Sequence, residues 1–405
     1  MSQIHSEAGN AGPGIASDVQ TFLDTHWDSQ QRRPRHVDGG IKGWLQKVFD
    51  ARWSVAGWPP EFYGRGLGKD EAKAVIAAFR KARAPGAGQD RINISAATLM
   101  NFQSDDALKH KLLPLLLTGR LSTCLLYSEP GAGSDLAALR TRAERRGDDY
   151  VITGQKVWTS GARTADYGLL IARTDWDVPK HQGISFFFIE MRQPGIDIRP
   201  INQITGDSHF NEVFLDNAVV PLQNRVGAEG EGWKVLQTAL AVERLIMGEG
   251  AGERRQGSAK DNVVSLIDIA RGHGRLADPL IRQEIAQAMA YRQLNDLNMA
   301  RAKEEMAQGS SSPIMSLGKL AMSRILHTDA AVMTHILGAA SMLDGAANPV
   351  PADVNYRTAN AYMTSIGGGT DQIQRNIISE RVLGLPREIE LDRDVPFRTS
   401  RAVTG

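Results

Sequence analysis

The sequence predicts an α+β fold in which a region of strands lies between two helical regions. In residues 19–121, apolar residues recur at intervals of three and four, the spacing of amphipathic helices. Residues 122–233 instead contain short β-rich runs separated by turn residues, at a spacing typical of a β-sandwich or barrel. Helical spacing returns in residues 234–385. Because the strands do not alternate with helices, this order argues against a βαβ nucleotide-binding fold.

The individual segments follow this pattern in chain order. A proline- and glycine-rich loop, WPPEFYGRGLG, interrupts the helices of the first region. Five segments of the middle region have the composition of strands: DYVITGQKVW, YGLLIART, GISFFFIEM, IDIRPI and NEVFLDNAVV. Outside these regions, residues 1–18 are polar and are expected to be flexible. Residues 386–405 are charged and interrupted by prolines, which predicts an extended or partly disordered C-terminal arm.

The composition excludes several classes of function. Among 405 residues, Lys and Arg total 47 and Asp and Glu total 46, so no overall field attracts nucleic acid or an anionic membrane. The one cysteine, Cys124, rules out an intrachain disulfide framework, and the nine histidines lack metal-ligand spacing, so we expect no metal. The sequence contains neither a secretory signal nor 18 consecutive apolar residues. We therefore expect no membrane span and a cytoplasmic location.

Three clusters carry candidate chemistry, and the first is CLLYSEPGAGSDLAALRT, residues Cys124 to Thr141. Gly131 and Gly133 allow backbone to approach a flat or phosphorylated ligand, and Ser128 and Ser134 offer hydroxyl groups. A plain loop between a helix and a sheet would have the same composition. The stretch also lacks the third glycine and the βαβ setting of a dinucleotide-binding fingerprint.

The second cluster is GQKVWTSGA, residues Gly154 to Ala162. Trp158 offers a large ring for stacking, and Thr159 and Ser160 beside it offer donors for ring nitrogens. The alternative interpretation is a tryptophan in the core of a sandwich.

The third cluster is SIGGGTDQIQRNIISERVLGLPRE, residues Ser365 to Glu388. Gly367–Gly369 form a loop that opens a helix, so free N–H groups and Thr370 suit a diphosphate or a carbonyl oxygen. The alternative interpretation is a simple helix N-cap, with Asp371 and Gln372 as ordinary first-turn residues.

Together the three clusters resemble the acyl-CoA dehydrogenase family. The resemblance runs from WPPEFYGRG near residue 58 to RVLGLPRE near residue 388. It implies an N-terminal helical domain, a middle β domain and a C-terminal four-helix bundle, with FAD as cofactor. It also implies α,β-dehydrogenation of an acyl-CoA substrate, with electrons passing to an electron-transfer flavoprotein. In this family a neighbouring subunit completes the FAD site, which implies a homodimer or homotetramer.

Matched by position, the resemblance assigns flavin contacts in the middle domain. Tyr127, Ser128, Gly133 and Ser134 correspond to the family's flavin-contacting stretch. Trp158 corresponds to the tryptophan beside the isoalloxazine ring. Ser160 corresponds to the residue that hydrogen-bonds flavin N5, the atom that receives hydride.

The resemblance also assigns positions in the last region. Thr370 and Gln372 correspond to positions near the adenosine of FAD, and Arg271 is a candidate contact for its pyrophosphate. The candidate substrate contacts are Ser134, Arg244 and Gly367.

The catalytic base has two candidate positions in the family. Many members place a Glu where this chain has Gly368, a residue that keeps its N–H for the thioester oxygen but has no carboxylate. Other members place the base in a Glu-Arg pair on the helix after the β domain, which matches Glu243 and Arg244. Glu243 lies in an otherwise apolar helical segment, where a carboxylate is costly to bury. An ion pair is its structural alternative, but the glycine at position 368 favours Glu243 as the base.

The last region departs from the family pattern, and this leaves other functions open. Three segments differ. His335, Ala339 and Ser341 stand where the family usually has a Gln and two Gly, and Gly274 stands in place of a Phe. Ala359–Ala361 replace the usual Arg-Asp-Ala. Pairing with a non-identical partner in a hetero-tetramer is therefore an alternative. So are an acyl-CoA oxidase, a flavin monooxygenase and a non-catalytic subunit of a mixed tetramer. The sequence leaves acyl length, branching and the thioester carrier open.

Overall fold

The computed structural model describes residues 13–35, 38–87, 91–103, 105–240, 265–307, 315–390 and 392–400. The chain divides into two compact units. The first unit consists of Met1–Ile201, His209–Gln256 and Asp392–Gly405. The second unit consists of Asn202–Ser208 and Gly257–Leu391. Each unit is described separately below.

Helices form the beginning of the first unit, as predicted. They are α1 (Pro13–His26), α2 (Gly40–Asp50), α3 (Lys69–Ala82), α4 (Arg91–Phe102) and α5 (Asp106–Leu117), and after the strands α6 covers residues 232–240. Trp44, Val75 and Phe79 are almost fully buried in a core shared by α1, α2 and α3. Helix α1 begins inside the segment 1–18 that we expected to be flexible. The reason is Pro13, since a proline at the first helical position is already set at a helical φ angle.

The strands of the first unit form two sheets. A small antiparallel pair joins β1 (Trp27–Asp28) to β2 (Arg33–Pro34). The other sheet has eight strands: β3 (Thr123–Leu126), β4 (Arg142–Arg146), β5 (Asp149–Ser160), β6 (Tyr167–Arg173), β7 (Ile184–Glu190), β8 (Ile196–Pro200), β9 (Phe210–Pro221) and β10 (Arg225–Val226). Their order is β10-β7-β6-β4-β5-β9-β8, and β3 pairs with β6 in parallel. All five predicted strands are present, and β3, β4 and β10 are additional.

Both faces of β6 and β7 are buried. Phe186 and Phe188 pack with helices α5 and α6 in one core, while Phe187 and Ile189 pack with β5 and β9 in another. This two-sided burial explains why these strands are almost continuously apolar rather than alternating. Complete burial of each such side chain stabilises the fold by about 1.5–3 kcal/mol. The shared core of β6, β7, β5 and β9 confirms the predicted sandwich- or barrel-like β domain.

Helices form the second unit. They are α7 (Leu266–Gly272), α8 (Pro279–Ala307), α9 (Met315–Leu337), α10 (Pro349–Ile366) and α11 (Asp371–Arg381). Helix α9 packs against α8, α10 and α11, around a core that includes Ile285, Val332, Ile336 and Val354. Within the described ranges, no helix has both the length and the apolar content needed to cross a membrane. The α+β order of helices, strands and helices is thus confirmed.

The last described segment, residues 392–400, returns to the first unit. It contains a short 3-10 turn, Phe397–Thr399, and the Phe397 ring is completely buried. Within the predicted arm, residues 386–390 are exposed and have no regular secondary structure, as an extended arm would, whereas residues 392–400 are anchored by the buried Phe397.

Candidate active site

The loop after strand β3 is a tight turn held by its own backbone. The Glu129 N–H donates to the Ala132 carbonyl at 3.0 Å, and the Ala132 N–H donates back to the Glu129 carbonyl at 3.1 Å. Four predicted ligand contacts lie on this loop: Tyr127 is buried, Ser128 is half-buried, and Gly133 and Ser134 are exposed. The turn therefore presents its serine and glycine groups from a defined backbone.

Strand β5 holds this loop from the core side. Lys156 is fully buried, and its Nζ donates to the Tyr127 carbonyl at 3.1 Å and to Glu129 Oε1 at 2.8 Å. The N–H of the next residue, Val157, donates to the Ser128 carbonyl at 2.9 Å. The structure therefore brings together the first and second clusters of the sequence.

The Glu129 carboxylate is the centre of this arrangement. Besides Lys156, it accepts the backbone N–H groups of Arg140 at 2.7 Å and Thr141 at 2.9 Å. Burial acts to raise the pKa of this carboxyl, but the Lys156 ammonium and the hydrogen-bond donors outweigh it. The pKa of Glu129 consequently lies below its ordinary value. Burial also lowers the pKa of the Lys156 ammonium, and the Glu129 carboxylate acts against this. The pair ties both ends of the loop to β5.

Neither Glu129 nor Lys156 was predicted as a functional residue, although the pattern of strand β5 indicates that Lys156 is buried and needs a partner. In β5, Tyr150, Ile152 and Lys156 are all buried and share the even-numbered face. A lysine on the buried face of a strand needs a buried acceptor or counter-charge. The first glutamate of the neighbouring cluster supplies it.

A β-bulge turns Trp158 away from this buried face. In the pairing of β5 with β9, Lys156 lies opposite Val213 and Thr159 opposite Asn211, so β5 contains one extra residue between these pairs. Trp158 has a φ of 61°, in the left-handed region that residues other than glycine rarely adopt. Its side chain is 58% exposed, and Ser160 beyond it is exposed too. The interpretation of Trp158 as a core residue is therefore wrong.

In the second unit, the predicted glycine loop leads into helix α11. Gly368 and Gly369 have φ values of 67° and 92°, which glycine adopts at little cost. Thr370 caps the helix, since its Oγ1 accepts the Ile373 N–H at 3.2 Å. The N-cap interpretation of this cluster is confirmed for Thr370. Gly367 and Gly368 are exposed at the helix entry.

The neighbouring predicted residues differ in their surroundings. Asp371 accepts hydrogen bonds from Ser323 Oγ at 2.7 Å and Lys319 Nζ at 3.3 Å, which anchors the start of α11 to α9. Gln372 is exposed. Arg271 is also exposed, and it forms an ion pair with Asp268 within α7. Gln372 and Arg271 are thus accessible to a ligand.

The proposed base lies outside the described residues. Helix α6 is described to residue 240, where Leu236 and Ala239 are buried, and Glu243 and Arg244 follow beyond it. Their roles remain predictions.

Comparison with known proteins decides the family. Models of the acyl-CoA dehydrogenase middle domain and C-terminal domain match residues 124–218 and 230–383. The acyl-CoA dehydrogenase IpdE1 of Mycobacterium tuberculosis is 35% identical over 365 residues, which cover 86% of this chain and 88% of that protein. The chain belongs to the acyl-CoA dehydrogenase family. It is an oxidoreductase and, like the family, a flavoprotein of lipid metabolism.

Solved acyl-CoA dehydrogenase structures have the same fold. The Tcur3481-Tcur3483 steroid ACAD is 27% identical with a TM-score of 0.69, covering 93% of this chain and 97% of that one. The ChsE4-ChsE5 complex from Mycobacterium tuberculosis is 27% identical with a TM-score of 0.63, covering 95% of this chain and 100% of that one. The names of both neighbours describe two different components.

The middle-domain residues of this acyl-CoA dehydrogenase fit a flavin. Val157, the residue before the exposed Trp158, is hydrogen-bonded to Ser128 in the loop that also carries Gly133 and Ser134, and Ser160 follows at the end of the strand. An exposed aromatic face beside hydroxyl and N–H donors matches a flat, polar-edged ring system. The strained backbone at Trp158 supports a functional role for its orientation.

Replacing Trp158 by Gly separates a ligand role from a structural role. We expect the stability of the apoprotein to change by less than about 1 kcal/mol, because glycine relieves the positive φ and an exposed ring contributes little burial. Flavin affinity should fall by about tenfold through loss of stacking. Urea unfolding and flavin fluorescence titration measure the two effects. The control is Trp44→Ala in the buried core, which should cost about 3–5 kcal/mol without weakening flavin binding by the folded protein. A destabilised Trp158→Gly protein with normal flavin affinity would contradict the ligand role.

Proposed function

We propose that this acyl-CoA dehydrogenase uses FAD to convert an acyl-CoA thioester to its trans-2-enoyl-CoA. The main support is the contact between the two middle-domain clusters, in which Lys156 binds Tyr127 and Glu129, and Val157, the residue before the exposed Trp158, binds Ser128. Bound FAD would supply the oxidising power by accepting the substrate β-hydride at N5. The family resemblance supports FAD in particular, because the clusters match its flavin-contacting positions.

Each middle-domain residue has a role in this proposal. Trp158 packs beside the isoalloxazine ring, and Ser160 donates a hydrogen bond at its N5 edge. Tyr127, Ser128 and Gly133 hold the flavin through the rigid loop. Ser134, exposed at the end of the turn, also contacts the thioester.

Glu243 is the proposed base that removes the α-proton. In the sequence it lies in an otherwise apolar segment, next to Arg244, at the position where some members of the family place the base. Arg244 and Gly367 contact the substrate, and the Gly368 N–H donates to the thioester oxygen as negative charge develops there. With a glycine at position 368, the carboxylate has to come from elsewhere in the chain.

An oligomer is proposed because the second unit exposes many large apolar side chains. These include Leu280 at 74%, Ile366 at 63% and Leu383 at 65% exposure. Exposed apolar side chains that form a contiguous patch are typical of protein interfaces. A homodimer or homotetramer accounts for the exposed side chains, and so does a hetero-tetramer, since the names of both structural neighbours give two different components. In either assembly Arg271, Thr370 and Gln372 contact the pyrophosphate and adenosine of FAD, with Arg271 reaching the FAD of a neighbouring subunit.

A ring-bearing acyl group is the proposed substrate class. One structural neighbour is named as a steroid ACAD, and a Cβ built on Gly368 meets no atom within 4 Å, although a Cβ on Gly367 or Gly369 would meet one at 3.0 Å. An electron-transfer flavoprotein is the proposed electron acceptor. We also propose a cytoplasmic location, because the single cysteine, Cys124, leaves the chain without the disulfide framework that is common in secreted proteins.

Anaerobic flavin bleaching tests the proposed function. The purified FAD-bound protein is mixed with linear, branched and ring-bearing acyl-CoA thioesters, and absorbance at the flavin bands is followed. Bleaching by at least one thioester is expected, with the fastest rates for ring-bearing substrates. A yellow protein that no thioester bleaches would contradict catalysis by this chain alone. Hydrogen peroxide formed at the same rate in air would instead identify an oxidase.

A further inference from the structure

We propose that residues 392–400 form a strap that positions the flavin-contacting loop, acting through Phe397 and the buried guanidinium of Arg173. The proposal rests on the proposed function, since that function assigns the loop to FAD. Phe397 and Arg173 are positioning residues, because they act on the ligand through other groups.

The strap is joined to the chain between β6 and β7 by specific contacts. The Phe397 N–H donates to the Val178 carbonyl at 2.9 Å, and the Arg398 N–H donates to the Trp176 carbonyl at 3.0 Å. The Arg398 guanidinium also pairs with Asp177 at 2.6 Å. A segment with two backbone hydrogen bonds and a completely buried ring is part of the domain structure.

Phe397 covers a buried arginine. Arg173 has no exposed surface, and its guanidinium carbon lies 3.5 Å from the centre of the Phe397 ring. The Trp176 ring lies 5.7 Å from the same carbon and 5.5 Å from the Phe397 ring centre. A cation stacked on aromatic faces and shielded from water interacts with them more strongly than one at the surface.

The arginine in turn holds the backbone that follows the flavin-contacting loop. Arg173 Nη2 donates to the Ala137 carbonyl at 2.7 Å, and Nε donates to the Leu139 carbonyl at 3.2 Å. The next two residues, Arg140 and Thr141, supply the N–H groups that bind Glu129. The Arg173 guanidinium therefore binds the backbone of residues 137–139, and the Glu129 carboxylate binds the backbone of the next two residues.

The loop beneath the strap adds another connection. Arg173 Nη1 donates to the Lys180 carbonyl at 3.0 Å, and Lys180 Nζ pairs with Asp135 at 2.9 Å. Asp135 is the last residue of the SEPGAGSD stretch. The segment from Asp135 to Leu139 is thus held at both ends. Its first residue pairs with Lys180, and its last residue binds Arg173, the residue that Phe397 covers.

The physical effect of the strap is to keep water from the guanidinium. Without the Phe397 ring, water would hydrate Arg173 and compete for its hydrogen bonds to Ala137 and Leu139. The loop would then open more often, and a ligand that binds only the ordered loop would bind more weakly.

Hydrogen exchange and FAD affinity test the strap in the full-length protein. Phe397→Ala should speed amide exchange in residues 136–141 by about tenfold or more and weaken FAD binding by a similar factor. The matched control is Phe79→Ala, another completely buried phenylalanine, in the helical core. It should lower overall stability but leave both readouts unchanged. Phe397→Tyr, which keeps the ring face, should restore most of both.

Three further variants keep the test decisive. A chain that ends at Glu390 should behave like Phe397→Ala, whereas one that ends at Ser400 should behave like wild type. If Phe397→Ala does not fold, Phe397→Leu, which keeps apolar bulk but lacks the ring face, should show the same direction of change.

Wild-type exchange and wild-type FAD affinity in Phe397→Ala would overturn the strap. Faster exchange with unchanged FAD affinity would also overturn it. If the wild-type chain bound no FAD, the proposed function would fail. The exchange readout would then still show whether the strap orders residues 136–141.

Discussion

Glu243→Gln is expected to retain bound FAD and to lose most turnover. A positioned general base contributes about 10²–10⁴-fold to a proton transfer, and the amide has the shape of the carboxylate without its basicity. The rate of flavin bleaching by a saturating acyl-CoA should fall by this factor. The protein should stay yellow, since the proposed flavin contacts lie in other parts of the chain.

The control for this variant is Glu231→Gln. Glu231 is an exposed carboxylate just before helix α6, paired with Lys234 at 3.6 Å. Its loss should leave the bleaching rate within about twofold of wild type, because exposed pairs contribute little energy. A Glu243→Gln protein that reduced its flavin at nearly the wild-type rate would eliminate Glu243 as the base.

Lys156→Met is expected to destabilise the first unit strongly. Nζ lies 2.8 Å from Glu129 Oε1, and the two side chains are 0% and 8% exposed, so the variant would leave a buried carboxylate without its cation. Removing one partner of a buried ion pair costs about 3–5 kcal/mol. Urea unfolding followed by tryptophan fluorescence measures the loss. A second change, Glu129→Gln, should recover much of it.

The pH dependence of the free energy of unfolding tests the same pair. In wild type the pKa of Glu129 is lowered by folding, so its contribution is present above the unfolded pKa of about 4.3. That contribution is lost as pH falls through the lower folded value. In Lys156→Met, burial without the cation should raise the folded pKa above the unfolded one. The variant's penalty is then largest near neutral pH and shrinks as the carboxyl becomes protonated.

A matched surface change provides the control for Lys156→Met. Lys234→Met removes one partner of an ion pair in which the lysine side chain is 69% exposed. Its cost should stay below about 1 kcal/mol at every pH. A Lys156→Met protein as stable as Lys234→Met would show that the buried pair does not hold the loop.

Most of the strand prediction was accurate because burial leaves a periodic record in sequence. The segments around Leu169 and Phe187 are almost continuously apolar, which identifies strands that are covered on both faces. Strand β3 was missed because Thr123–Leu126 lies in a cluster that composition describes equally well as a loop. Its pairing with β6 joins residues far apart in sequence, which no local pattern encodes.

The candidate site was predictable residue by residue but not in its assembly. Residue types and spacing single out the three clusters, since turns and hydroxyl groups are local features, and the family follows from what these clusters resemble. The role of Glu243 stays a prediction. Glu129 and Lys156, which form the buried ion pair, are 27 residues apart in the sequence. Arg173 and Phe397, which covers it, are 224 residues apart. Periodicity alone does not specify such partners.

Trp158 shows where the two kinds of information divide. By itself, the sequence determined that this chain has helices, strands and then helices, and that an aromatic residue lies beside Thr159 and Ser160. Alternation from Tyr150, Ile152 and Lys156 would place Trp158 on the buried face. Only the tertiary structure decided that it is exposed, because one extra residue opposite β9 reverses the side on which the strand presents it.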